Sequence, residues 1–255
     1  MGADIASVRD IGRDAVRCRS VLRIAHGRSA LSLVLGLSAL AHTQAADRLT
    51  AIPATQLCVT EGAVTSSGGT SLSVDVPKMR AYVNHPAADS AQIHFTYLGP
   101  TASRSALASG ADRLQFGLKL HAQDACNLIY VMWRVEPESK LVVSVKSNPR
   151  QHSSSQCGNR GYQNIKPRMS AALAHLGVRQ PHTLTAVLRA DELRVFVDGG
   201  LMWQGGVGSD AVAVKGPAGV RSDNARLEFE LAADNPDAAL SSQDAGCRSG
   251  PEESE

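Results

Sequence analysis

Hydrophobic residues recur at every second position along much of this chain, and that period of two restricts its fold more than any other property. "LQFGLKLHAQ" puts Leu114, Phe116, Leu118 and Leu120 on one side and Gln115, Lys119 and His121 on the other. "LVVSVKSNP" sets Leu141, Val143 and Val145 against Ser144 and Lys146. Successive side chains of a strand point to opposite faces, so both segments read as half-buried strands. "NLIYVMWRVEP" between them is largely apolar, as in a central strand covered on both faces. Its turns fall at Gln123-Asp124 and at Pro137 to Lys140. Further strands are predicted at "SLSVDV", "MRAYVN", "QIHFTYL", "TLTAVLR", "LRVFVD", "LMWQG", "AGVRSD" and "RLEFEL". One stretch has helical character: "MSAALAHLG" predicts two turns over Met169 to Gly177, with Ser170 as cap and Gly177 as terminator. Many short strands with polar turns predict an all-β antiparallel sandwich or barrel.

The first segment has a different logic. Arg9, Arg13, Arg17, Arg19, Arg23 and Arg28 precede the apolar run "ALSLVLGLSALA", and small residues at Thr43 and Ala45 suit cleavage after Ala45. This pattern predicts a secretory signal peptide over residues 1–45. The run covers Ala30 to Ala41, shorter than the roughly 20 residues of a membrane span. Six of the 26 basic and three of the 24 acidic residues lie before position 46, which leaves the remainder at net −1 rather than +2. That balance excludes a strongly cationic nucleic-acid binder. Residues 46–232 are long enough for one sizeable core. The stretch 233–255 reads as an acidic, largely flexible tail.

Of the five cysteines, Cys18 falls in the export segment. Cys58, Cys126, Cys157 and Cys247 remain, an even set that favours two disulfides in an exported chain, periplasmic or extracellular. The preferred pairing joins Cys126 to Cys157 around one hairpin and its loop, and Cys58 to Cys247 at the two ends. No Cys-x-x-Cys and no paired histidines complete a metal site.

"HTLTAVLRADELRVFVDGGLMWQG" (His182 to Gly205) reads as a three-stranded meander. Ala190 to Glu192 forms one turn and Gly199-Gly200 supplies the positive φ of a tight hairpin, with Asp198 bonding the turn backbone. The order "H-T-L … L-R-V-F-V-D-G … G-P-A-G-V-R-S-D-N-A-R-L-E-F" resembles the last strands of concanavalin A-like lectin/glucanase domains, including laminin G-like modules. The resemblance spans residues 182 to 231. It implies a jelly roll of two antiparallel sheets, one of them concave.

Members of that class include polysaccharide enzymes, so their chemistry was sought. Glu136 and Glu138 are the nearest approach to the alternating carboxylates of a glycosidase, but Pro137 and Lys140 read as a turn. Gln92-Ile93-His94 matches a tripeptide of alginate lyases without its companion motifs. No Gly-x-Ser-x-Gly elbow or phosphate-cradling glycine loop occurs. No cofactor is expected; Asp198, Asp223 and Asn224 could supply calcium oxygens, yet each also suits a turn.

Surface chemistry remains. Residues 114 to 168 hold eight basic and three acidic side chains, a net of +5. If neighbouring strands align, Lys119, His121, Tyr130, Arg134 and Lys146 form one cationic and aromatic face. Such a face suits a carbohydrate, whose ring stacks on an aromatic while hydroxyls or carboxylates meet Arg and Lys. Three readings follow: a non-catalytic module binding glycan, including anionic polysaccharide; a polysaccharide lyase or hydrolase; and a protein-binding surface module.

Overall fold

Strands form where the alternation is strongest. The computed structural model describes residues 49–84, 87–234 and 247, all within the unit Ala41–Glu255. The predicted export segment and the acidic tail, apart from Cys247, lie outside the described residues. In chain order the strands are β1 (Leu49–Ala51), β2 (Leu57–Glu61), β3 (Thr65–Gly68), β4 (Ser71–Val74), β5 (Lys78–Val83), β6 (Ser90–Pro100), β7 (Leu114–Leu120) and β8 (Leu128–Glu136). They continue with β9 (Lys140–Lys146), β10 (Tyr162–Asn164), β11 (Met169–Ser170), β12 (Pro181–Arg189), β13 (Glu192–Val197), β14 (Gly200–Gly206), β15 (Gly219–Asp223) and β16 (Ala225–Asp234). Two short helices, α1 (Ser154–Cys157) and α2 (Ser209–Ala213), sit in connections.

The strands make an all-β antiparallel sandwich. One sheet has nine strands in the order β11-β14-β13-β12-β6-β16-β4-β3, with β1 also pairing β16. The other has seven, in the order β10-β9-β8-β7-β15-β5-β2. Strands from distant parts of the chain therefore sit side by side: β15 lies between β7 and β5, and β16 between β6 and β4.

The nine-stranded sheet shows the alternation of a sheet with one wet side. Ile93, Phe95 and Tyr97 of β6 and Leu227, Phe229 and Leu231 of β16 are buried, while His94, Glu228 and Glu230 are exposed. Phe95 crosses the core, meeting Phe116 at 4.7 Å and Trp133 at 5.7 Å, both edge to face. Each such side chain contributes about 1.5–3 kcal/mol on burial, and the aromatic pairs add about 0.5–1.5 kcal/mol. The seven-stranded sheet is different. Every residue of β7 and of β15 is buried, so both of its faces are covered.

The hairpin between β13 and β14 turns on Asp198 and Gly199, with φ of 50° and 79°. Val197 stands opposite Gly200, which makes this the tight two-residue turn that positive φ permits. The Asp198 carboxylate accepts the Thr183 N–H at 2.8 Å and meets His182 Nδ1 at 2.8 Å. Asp198 is thus a turn residue fastened to the neighbouring strand.

The predicted helix at 169–177 does not form. Met169 and Ser170 pair with β14 instead, and the Ala171 N–H donates to the Met202 carbonyl at 2.9 Å. The open edge of β14 captures the start of the segment, and the few residues left are too short for a stable helix. Leu176 is nonetheless buried in the core. The polar stretch 151–161 contains α1, whose Gln156 side chain accepts the His152 and Ser153 N–H groups.

Both disulfides follow the preferred pairing. Cys58 joins Cys247 across 189 residues, and Cys126 joins Cys157 across 31.

Candidate functional site

Strand register determines which side chains share the outward face of the seven-stranded sheet, because directly opposed residues project to the same side. One row runs Asn164, Ser144, Tyr130, Lys119, Gly219, Tyr82 and Cys58. On one side of it lies Tyr162, Lys146 and Leu128. On the other lies Val142, Met132, Gly117, Arg221 and Arg80. A further row holds Lys140, Arg134, Gln115, Asp223 and Lys78. The core residues Val131, Leu118 and Val220 occupy the intervening positions and face the other sheet.

This face is aromatic and cationic, and most of its described side chains are buried. Tyr130 and Tyr162 stack with centroids 5.9 Å apart and planes 24° off parallel. Lys146 Nζ lies 4.9 Å from the Tyr162 ring and the Arg221 guanidinium 5.0 Å from the Tyr130 ring. Two cation–π contacts thus clamp one stacked pair. Gly117 and Gly219 leave no room for a side chain: a Cβ would fall 2.0 Å from the Val131 carbonyl oxygen and 2.3 Å from that of Ala81.

A buried ion cluster supports one end. Asp223 Oδ1 receives Arg80 Nη2 at 2.7 Å, and Oδ2 receives Arg221 Nε at 2.9 Å and Gln115 Nε2 at 2.7 Å. Burial by itself would push the Asp223 carboxyl up, but Arg221 and then Arg80 outweigh it and hold it well below the usual carboxylate range. Arg80 also donates to the carbonyls of Met79 and Ser222. Asp223 therefore aims the Arg221 guanidinium toward Tyr130.

The row of Lys140 and Arg134 leads to a cleft of about 380 Å³ at the sheet edge, where Asn164, Ile165, Ser170 and Trp203 complete the walls. Burial lowers the Arg134 guanidinium pKa, and Arg113 adds repulsion. Its Nε is buried without a hydrogen-bond partner. A cleft of this size with convergent cations suits a small anionic group.

Of the expected site residues, Lys119, Tyr130, Arg134 and Lys146 are brought together on this side. His121 is not. Its φ of 50° ends the alternation of β7, and the ring is buried with Nε2 2.7 Å from Asp89 Oδ1 and Nδ1 3.2 Å from the Ala211 carbonyl. It ties the end of β7 to α2 and cannot meet a ligand alongside Lys119. Tyr162, Arg80, Arg221 and Asp223 were not expected there. Arg221 and Asp223 do take alternate positions in "AGVRSD", and that was the available signal; Tyr162 fell outside every predicted strand.

No family model matches the chain, and no curated protein does. Solved structures are similar to it. A carbohydrate binding module, CBM66 from Bacillus subtilis, is 11% identical with a TM-score of 0.48, covering 68% of this chain and 91% of that one. A Bacillus subtilis protein of unknown function with a galectin-like fold is 9% identical at 0.46, covering 69% and 87%. The Crh5 transglycosylase in complex with NAG is 12% identical at 0.44, covering 74% and 85%.

The catalytic candidates do not converge. Glu136 ends β8 and pairs with Arg104 at 2.7 Å, while Glu138 lies in the following turn with Lys140. His94 is on the outward side of the nine-stranded sheet, 3.2 Å from Thr183 Oγ1, with Gln92 on Thr185. The calcium candidates are engaged elsewhere: Asp198 in its turn, Asp223 by the two arginines, and Asn224 by the Ser105 N–H and the carbonyls of Ser105 and Arg113. Among the described residues no cluster of three or more His, Cys, Asp or Glu side chains could hold a metal, and no helix is long and apolar enough to cross a membrane.

Proposed function

We propose that this chain is an exported, non-catalytic glycan-binding protein, and that its ligand is an anionic polysaccharide on the outward face of the seven-stranded sheet, where Tyr162 is exposed. The stacked Tyr130 and Tyr162, with Lys146 and Arg221 against their rings, carry this reading. A pyranose presents a C–H face to an aromatic ring, and its carboxylate or sulfate meets the flanking cations. Lys119, Arg134, Lys140 and Arg80 share this face, with Asp223 and Glu61 beside Arg80 and Glu138 beside Lys140. The two disulfides suit an oxidising compartment.

The test is binding of the folded protein to a uronate polysaccharide, a sulfated polysaccharide and a neutral glucan. Anionic chains should bind, and raising the ionic strength should weaken them. Lys146→Ala and Tyr162→Ala should each reduce affinity by about tenfold, the equivalent of about 1.4 kcal/mol for a charge-assisted or stacking contact. Binding of the neutral glucan alone, unaffected by salt, would remove the anionic assignment. Silence across the panel from the folded chain would remove the glycan reading.

A further inference from the structure

At one margin the chain passes from one sheet to the other. β10 belongs to the seven-stranded sheet and β11 to the nine-stranded one, so residues 165–168 cross between them. The crossing is fastened at both ends: the Ile165 N–H donates to the Val143 carbonyl at 2.9 Å, and the Arg168 N–H to the Gln204 carbonyl at 2.8 Å. Pro167 has no N–H to satisfy. Ile165 and Pro167 line the cleft of about 380 Å³, with Leu141, Val142, Met202 and Trp203 as further apolar walls. Its polar groups are few: Arg134, Lys140, Asn164 and Ser170. We infer that this cleft binds a single carboxylate-bearing sugar residue, and that an anionic polysaccharide is anchored to the chain by the unit seated there.

Size, charge and hydrogen bonding agree. Small-molecule sites span about 300–1,000 Å³, so a cleft near the lower end takes one sugar unit and not a run of polymer. The two cations that line it differ. Lys140 Nζ is already 2.5 Å from Glu138 Oε2, and Arg168, at the end of the crossing, is paired with Glu192. Arg134 has its Nε buried without a hydrogen-bond partner; Arg113 repels its guanidinium and Glu138 attracts it. A guanidinium offers its donors as a planar fork that matches a carboxylate. A buried N–H left unpaired costs free energy, which an acceptor seated in the cleft recovers. The apolar walls suit the C–H faces of a sugar ring, and Asn164 and Ser170 supply amide and hydroxyl groups for its hydroxyls.

The anchoring of a polymer rests on the glycan-binding reading; the small site does not, and the experiment separates them. The folded full chain is titrated with free glucuronate, with glucose and with acetate, followed by calorimetry and by the indole N–H resonance of Trp203. Glucuronate should bind and shift that resonance, and glucose and acetate should bind at least about tenfold more weakly, since each lacks one half of the contact. Arg134→Gln should lower glucuronate affinity about tenfold, the effect of one charge-assisted contact, at an unchanged melting temperature. The Lys140 side chain is 44% exposed and can be changed without touching the core; Lys140→Gln should lower the affinity by less, because Glu138 already holds that ammonium. Glucuronate binding that Arg134→Gln removes, with no polysaccharide bound by any chain, would uphold the cleft and defeat the polysaccharide reading. Polysaccharide binding that Tyr162→Ala weakens and Arg134→Gln does not, with no response to free glucuronate, would overturn the cleft and leave that reading standing. Acetate bound as tightly as glucuronate would overturn the sugar assignment.

Discussion

Replacing Asp223 with asparagine is expected to lower the unfolding free energy by about 3–5 kcal/mol, because the variant keeps its shape but removes the carboxylate that two buried guanidinium groups share. Arg80 and Arg221 are 1% and 4% exposed, and Asp223 is the carboxylate shared between them. Removing one partner of such a cluster costs far more than the intact cluster contributes relative to an apolar substitute. For a domain of this size each kcal/mol shifts the melting temperature by about 2–4 °C, so calorimetry should register a fall of about 6–20 °C. The acid limb gives a second readout. The folded carboxyl titrates below the ordinary aspartate value, so its stabilisation is full above the unfolded pKa of about 3.9 and fades as pH falls toward the depressed folded value. The parent should therefore lose stability below about pH 4 with a slope that Asp223→Asn lacks. Equal melting temperatures and equal acid slopes would show that the arginines draw no support from Asp223.

The second large effect concerns Cys126 and Cys157. Changing both to alanine should cost about 3–4 kcal/mol, the entropy regained by an unfolded chain released from a loop of this length. The loop spans 31 residues and includes α1. Its native shape should survive, because other bonds hold it. Asp124 accepts from the Cys126 N–H and from Asn127, and Asn148 reaches the carbonyls of Cys126 and Arg160. A melt lower by about 6–16 °C with an unchanged circular dichroism spectrum is the expected pair of results. Collapse of the β signature at low temperature would mean that the bridge organises the loop rather than shortening its unfolded freedom.

Alternation made the fold readable, and its limits explain what stayed hidden. Lys119, Tyr130 and Lys146 fall on one side because β7, β8 and β9 are consecutive strands with plain antiparallel register. His121 broke the pattern because its backbone turns to a φ of 50° while its ring is held by Asp89 and Ala211, groups 32 and 90 residues away. No local signal marks that end. The Arg80–Asp223 pair is separated by 143 residues, and its existence depends on β15 entering between β5 and β7. That crossing is a property of the whole topology, not of either segment. The predicted helix at 169–177 failed for a related reason, since local propensity yielded to a vacant strand edge. The deep burial of the outward lysines was likewise unreadable from period two, which separates faces but does not say what covers them.

The margins of the two sheets carry a consequence of their own. The nine-stranded sheet ends in β11 on one side, two residues long, and in β3 on the other, a bulged Thr-Ser-Ser-Gly run. The seven-stranded sheet ends in the three-residue β10 and in β2, whose pairing is also interrupted. Margins so brief and irregular give another chain little backbone to add onto. A concentrated solution of this protein should therefore resist ordered, fibre-like stacking through its described strand edges.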